Sequence, residues 1–359
     1  MHRHPLARDF GAYLAEPALW EPLRGAAIFL TGGTGYYGCW LLESLVFLNA
    51  ALDLRTRAVV LTRDPAAFAA KVPALAADPA VRLVRGDVNT LDARDVRGQL
   101  GADAPERCEF VVHAAAETHS RHYEQAPLTQ LDTLVTGTRR TLEFARAAGA
   151  RRFLFTSSGA VYGPQPAGLT HLPEDYVGAP DPAAFTPLNV YAGGKRLAET
   201  LCAGYHGCFG LETTIARPFA TVGPYLSLDW HFALGNFLRD ALAGRPIEIK
   251  GDGTPYRSYI YAADQTFALW TILLRGQPAR PYNVGSSEGR PLREVAAVVA
   301  GMASPALEVR VARAAAPGTP PERYVPDVSR LEKELGFRPR VDLPEAIRRT
   351  LAWHQLSPP

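Results

Sequence analysis

Five short β-branched runs, AAIFLT, RAVVLT, VRLVRG, CEFVVHA and RRFLFTS, recur along the first half of this chain, with helical patterns between them. The intervening stretches include YYGCWLLESLVFLNA and LTQLDTLVTGTRRTLEFARAAG; the helix pattern NVYAGGKRLAETLCAGYHG and the strand-like LETTIARP follow. Strands joined through helices must cross over to pair again, which makes them parallel. The alternation predicts an α/β fold: a Rossmann-type, doubly wound, mostly parallel sheet with strand order 3-2-1-4-5-6.

After Pro218 the pattern changes. Loops rich in Gly, Pro and aromatic residues (FATVGPYLSLDW, GDGTPYRSYIY) alternate with shorter helices such as HFALGNFLRDALAG and PLREVAAVVAGM. This predicts a smaller C-terminal lobe laid over the strand ends. The expected division is an N-terminal extension over 1–25 carrying the amphipathic FGAYLAEPALWEPL, a Rossmann domain over 26–217, and mainly the lobe over 218–359, with some segments returning to the first domain. AAAPGTPPERYVP is expected to be a loop.

Charged residues make up 21% of the 359 and hydrophobic ones 47%, with a formal net charge of +2, so no nucleic-acid surface is expected. CWLLESLVFLNAAL, broken by Glu43 and Asn49, is too short to span a bilayer, and no signal-peptide h-region opens the chain. Cys39, Cys108, Cys202 and Cys208 form no CxxC pair and no metal-ligand spacing. They are expected to be reduced thiols in the cytoplasm, and no metal site is expected.

TGGTGYYG follows the first strand and opens the first helix, with Gly32, Gly35 and Gly38 three residues apart. Glycine here permits a tight turn, close approach to a pyrophosphate and packing of helix on sheet, while the helix N-terminus offers free amides. A dinucleotide cofactor is the expected ligand; a plain tight turn is the alternative. At the end of the second strand, where a carboxylate would favour NAD, the chain has Thr62 and Arg63. Arg63 can pair with a 2′-phosphate, which favours NADP over NAD, or it is a solvated arginine beside Asp64. Asp87 and Val88, after the third strand, are placed to meet the adenine, or Asp87 simply closes a turn.

In NVYAGGKRLAE, Tyr191 and Lys195 stand one helical turn apart on one face. A lysine ammonium and an oxidised nicotinamide can lower a tyrosine's pKa enough for it to take a hydroxyl proton. Ser158 in TSSGAVYG sits at a strand end as a candidate active-site hydroxyl.

With these motifs in place, the chain resembles the extended short-chain dehydrogenases/reductases of the nucleotide-sugar epimerase/dehydratase type. TGGTGYYG, HAAAETH, TSSGAVYG, YAGGK, ARPFATVGP, GDGTPYRSYIYAAD and PYNVGS stand in that family's order. The resemblance implies a catalytic triad of Ser158, Tyr191 and Lys195. Cofactor contacts are assigned to Gly32, Gly35, Tyr36, Tyr37, Gly38, Arg63, Asp87, Val88, Ala115, Ala116, Tyr191 and Lys195. Arg257 and Arg323 match the family's nucleotide-phosphate arginines; each could otherwise be a solvated surface group. Glu117, Thr118 and His119 follow a strand end and are candidates to line the sugar pocket, with a capped, solvated loop as the equal alternative. The implied partner is a nucleoside-diphosphate sugar, with no membrane, and the assembly a homodimer built on the helix bearing Tyr191 and its neighbour.

The chain departs from the family in ways that bear on chemistry. The 4,6-dehydratases carry an Asp-Glu pair after the catalytic hydroxyl, and the sugar-acid decarboxylases a glutamate; Gly159 and Ala160 stand here. Ala220 and Leu134 occupy positions where the family often has asparagine. What remains suffices to move a hydride and a proton on and off a secondary alcohol. The expected function is NAD(P)-dependent epimerisation of a nucleoside-diphosphate sugar at C4 through a transient ketone. A 4-keto-sugar-nucleotide reductase is the alternative, and a silent sugar-nucleotide-binding protein is a third.

Overall fold

The computed structural model describes residues 6–116, 126–229 and 232–356. Strands β1 (Ala27–Thr31), β2 (Arg57–Thr62), β3 (Val81–Arg85), β4 (Phe110–His113), β5 (Arg152–Thr156), β6 (Glu212–Pro218) and β7 (Pro281–Val284) form one sheet in the order 3-2-1-4-5-6-7. Every pairing is parallel. The expected order therefore holds, and PYNV adds a strand at the β6 edge, with Pro281 opposite Ile215. β1, β4 and β5 are buried along their whole length, as strands covered on both faces must be.

Three long helices position the site. Helix α1 (Tyr36–Leu52) follows the glycine loop, α2 (Pro127–Ala147) follows β4, and α3 (Pro187–Phe209) precedes β6. The limits of α3 are set by its sequence. Thr186 caps the Asn189 amide at 3.1 Å, Pro187 supplies a pre-set first turn, and Gly210 ends the helix at φ +70°. A fourth helix, α4 (Ala262–Arg275), is buried nearly all round and packs against α1, β5 and β6, so part of the chain after Pro218 lies within the layers of the main sheet.

Residues 6–25 lie across this assembly. Phe10, Trp20 and Leu23 are fully buried, and Tyr13 stacks on Phe267 of α4 at 3.8 Å between ring centroids. The Tyr13 hydroxyl donates to Asp264, which also accepts the Arg340 and Val341 amides at 3.0 Å each. Asp9 pairs with Arg349 at 2.6 Å in the last helix, α5 (Leu343–Leu356). The amphipathic character of FGAYLAEPALWEPL thus marks a packed segment.

The remaining strands are short. Tyr256–Arg257 pairs in parallel with Arg323–Tyr324 and antiparallel with Arg290–Pro291, forming a three-stranded patch. The proline-rich span is accordingly not all loop: its end, Arg323–Tyr324, is a strand.

Candidate active site

The glycine loop is closed from two sides. Gly32 has φ +70°, and a Cβ on it would lie 2.4 Å from the Ala114 carbonyl carbon and 2.5 Å from the Ala115 amide nitrogen. The backbone after β4 therefore runs directly over the loop and brings Ala115 and Ala116 to it. At Gly38 a Cβ would lie 2.3 Å from the Gly33 carbonyl carbon, so α1 can start here only on glycine. Gly35 caps α1 without a side-chain hydrogen bond, and no acidic residue stands in the first turn. The amides of that turn face a negative ligand with nothing to repel it, which fits a dinucleotide pyrophosphate. Tyr36 and Tyr37 are half-buried in this turn, and the Tyr36 hydroxyl has no partner among the described residues.

Arg63 is exposed just past β2, and its neighbour Asp64 caps the next helix by accepting the Ala67 amide at 3.0 Å. Lys71 at that helix's end donates to the Thr34 carbonyl of the glycine loop at 3.3 Å, a second cation near the cofactor cradle that sequence reasoning missed. The Asp87 carboxylate accepts the Asn89 amide at 2.8 Å, so it does close a turn; Val88 is buried beneath Gly137 of α2.

Ser158 follows β5 and opens the turn Gly159–Tyr162, its Oγ accepting the Ala160 amide at 3.1 Å. Tyr191 on α3 lies beside Ser158. Burial pushes its phenol well up, the nearby Tyr37 adds to this, and Ser158 opposes it. One turn on, Lys195 is buried, with Nζ donating to the Thr156 carbonyl at 2.6 Å and lying 5.8 Å from the Tyr191 ring centroid. Its ammonium is turned toward the strand end rather than the phenol oxygen. Burial lowers its pKa to about 7, against the pull of Glu199 and then Cys202. Ser158, Tyr191 and Lys195 are thus brought together as the spacing implied.

Beneath them His113 bridges two threonine hydroxyls, Thr31 at 2.7 Å and Thr138 at 3.0 Å, and burial, with Lys195 second, lowers its pKa to about 3. Glu199, a further turn along α3, accepts Ser157 Oγ at 2.5 Å and is gripped by Arg217 through two hydrogen bonds of 2.6 and 2.9 Å. Its four-residue spacing from Lys195 was the available signal.

Arg257 and Arg323 stand on adjacent short strands, Arg257 opposite Tyr324 and Arg323 opposite Tyr256. The Arg257 guanidinium is held by Glu322 at 2.6 Å, and that of Arg323 lies 4.0 Å over the Tyr256 ring. Between this patch and Ser158 sits Tyr324, whose ring packs on Phe219 at 4.5 Å and whose hydroxyl fills the space beside Gly159, where a Cβ would meet it at 2.5 Å. Sequence reasoning did not single it out. Glu117, Thr118 and His119 lie outside the described residues.

Known proteins resemble this chain along most of its length. UDP-glucuronic acid decarboxylase 3 of Arabidopsis thaliana is 30% identical over 323 residues, covering 89% of this chain and 86% of the relative. The dTDP-glucose 4,6-dehydratase of Streptomyces antibioticus is 28% identical over 91% of this chain and 92% of its own. Among solved structures, a dTDP-glucose 4,6-dehydratase from Streptomyces venezuelae, with NAD bound, superimposes with a TM-score of 0.72 at 27% identity, covering 92% of this chain and 97% of that one. The UDP-glucose 4-epimerase of Thermotoga maritima shares the fold with a TM-score of 0.75 at 20% identity, over 92% of this chain and 99% of that one. A family model matches residues 28–285, from within β1 to just past β7. With its glycine loop, its serine-tyrosine-lysine cluster and its seven parallel strands accounted for by that match, the chain belongs to the NAD dependent epimerase/dehydratase family.

Proposed function

We propose that this protein epimerises a nucleoside-diphosphate sugar at C4 through a transient 4-keto intermediate. The observation that carries the reading is the content of the cleft at the β5 end: Ser158 and Tyr191 side by side next to Lys195, with no carboxylate on the turn after Ser158. Elimination of water needs a positioned acid and base besides the redox pair. Gly159 and Ala160 supply neither, which separates this site from the chemistry of its dehydratase relatives.

Tyr191 takes the proton of the C4 hydroxyl and later returns it, while Ser158 hydrogen-bonds the reacting oxygen. Lys195, fixed by Thr156, holds the nicotinamide ribose. Bound oxidised nicotinamide supplies hydride acceptance and a positive charge that pulls the Tyr191 phenol down from the level burial sets. Arg257 and Arg323, with the lobe formed mainly by residues 218–359, grip the diphosphate. Leu128 of α2 and Leu188 and Leu197 of α3 expose apolar surface, which supports a homodimer formed on that helix pair. The test is to incubate purified protein with a nucleotide hexose: two 4-epimers should interconvert with no external nicotinamide consumed. Stoichiometric loss of added NADPH with a 4-keto substrate and one alcohol product would establish a reductase instead.

The cofactor reading leans to NADP on Arg63, supported by Lys71 nearby. Arg63→Ala should weaken NADP about tenfold or more while leaving NAD nearly unchanged, because a charge-assisted hydrogen bond contributes about 1.5–3 kcal/mol. Equal losses for both nucleotides in a binding titration return Arg63 to the solvated loop.

A further inference from the structure

Gly159 is buried directly after Ser158, and a Cβ built on it meets the Tyr324 hydroxyl at 2.5 Å and the Phe219 ring at 2.7 Å. Real side chains do not tolerate such approaches. The place where the turn would otherwise carry a side chain is therefore taken by a phenol arriving from the far end of the chain. Tyr324 is also anchored independently of that contact. Its strand pairs with Tyr256–Arg257, its ring lies on Phe219 at 4.5 Å, and the next residue, Val325, donates to Gln165 at 3.0 Å and accepts the Leu172 amide at 2.8 Å.

The exchange of a carboxylate for a phenol changes what the site can do. A carboxylate is ionised at neutral pH and takes protons; a phenol starts near 10. Here burial, then the neighbouring Tyr191, push Tyr324 higher still, with Ser158 opposing, so it remains protonated and acts as a donor. A serine hydroxyl accepts two hydrogen bonds and donates one. Ser158 Oγ already accepts the Ala160 amide at 3.1 Å. A proton donated from Tyr324, seated beside Gly159, to the second lone pair would leave the serine's own hydrogen to point at Tyr191 or at the sugar oxygen between them.

We propose that Tyr324 is a positioning and specificity-determining residue: seated in the room that glycine leaves at position 159, its hydroxyl aims the Ser158 hydroxyl at the reacting oxygen and replaces an acid-base side chain by a neutral donor. The proposal rests on the epimerase reading for the identity of the reacting oxygen, and on the Gly159–Tyr324 contact for the seat.

The experiment is a double-mutant cycle on the full chain with cofactor: wild type, Tyr324→Phe, Gly159→Ala and the pair. Steady-state turnover of a nucleotide hexose and urea unfolding are both measured. Tyr324→Phe keeps the ring on Phe219 and removes only the hydroxyl, so kcat should fall about tenfold with KM, cofactor affinity and melting temperature nearly unchanged. Gly159→Ala displaces the same hydroxyl, so the double variant should turn over no more slowly than the worse single one. Wild-type kcat in Tyr324→Phe, or effects that multiply, would overturn the proposal; if Gly159→Ala does not fold, Tyr324→Phe decides alone. Should wild type itself move no hydride on any nucleotide sugar, the epimerase reading fails by itself, and unfolding then judges the seat. The destabilisation caused by Gly159→Ala should shrink when Tyr324 has lost its hydroxyl, and equal destabilisation in both backgrounds overturns the seat.

Discussion

Burial, with the Lys195 ammonium second, decides the state of His113. Held by Thr31 and Thr138 and fully buried, the imidazole resists protonation until about pH 3, whereas in an unfolded chain it binds its proton near 6.5. Between those values the unfolded state binds more protons than the native one, so stability falls as pH drops and recovers as pH rises. From pH 6.5 to pH 5 this group alone costs about 2 kcal/mol. A His113→Gln variant lacks that slope. Its stability deficit relative to wild type, read from urea unfolding, should narrow by about that amount over the same interval; a constant deficit refutes the neutral buried imidazole. At this scale Ser158, Tyr191 and Lys195 are legible in the sequence, because helical spacing and a strand end place them by local rules. Tyr324 is not. Its contact with Ser158 depends on how a short strand after the proline-rich span pairs with Tyr256–Arg257, and no local period encodes that. The orientation of Lys195 toward Thr156 is likewise a matter of packing that residue types leave open.

The elements are better written into the chain than their edges. Continuous apolar runs mark β1, β2, β4 and β5 because a parallel sheet is buried on both faces, and α3 is bounded by a threonine cap and a terminal glycine. PYNV is too short and too interrupted by proline and asparagine to declare itself a strand; it becomes β7 because the β6 edge is open to it. The junction of β1 with α1 shows how strictly an element boundary can be specified. Gly38→Ala would set a methyl 2.3 Å from the Gly33 backbone and drive the first turn of α1 off the loop. Overpacking of this kind costs about 1–3 kcal/mol, and cofactor affinity should fall with it because the turn's amides move. Gly35→Ala, whose Cβ meets only the Gly32 carbonyl oxygen at 3.3 Å, should be far milder in both melting temperature and cofactor titration. Equal damage from the two substitutions would refute the close-packed junction.

Across the whole molecule, the sheet is a scaffold whose C-terminal strand ends carry chemistry from distant stretches: the glycine loop after β1, the serine after β5, and the arginine-bearing patch whose strands lie before and after β7 in the chain. The packed extension likewise ties distant stretches together. Tyr13 finds its partner Asp264 only 251 residues later, and Asp9 its partner Arg349 only 340 residues later. A chain made from its N-terminus at about 5–20 residues per second therefore carries Phe10, Tyr13 and Trp20 without their seat on α4 for on the order of ten seconds or more. Throughout that interval Phe10, Tyr13 and Trp20 lack the Phe267 ring on which all three converge in the folded protein, so the burial of this segment is completed only when α4 has been made.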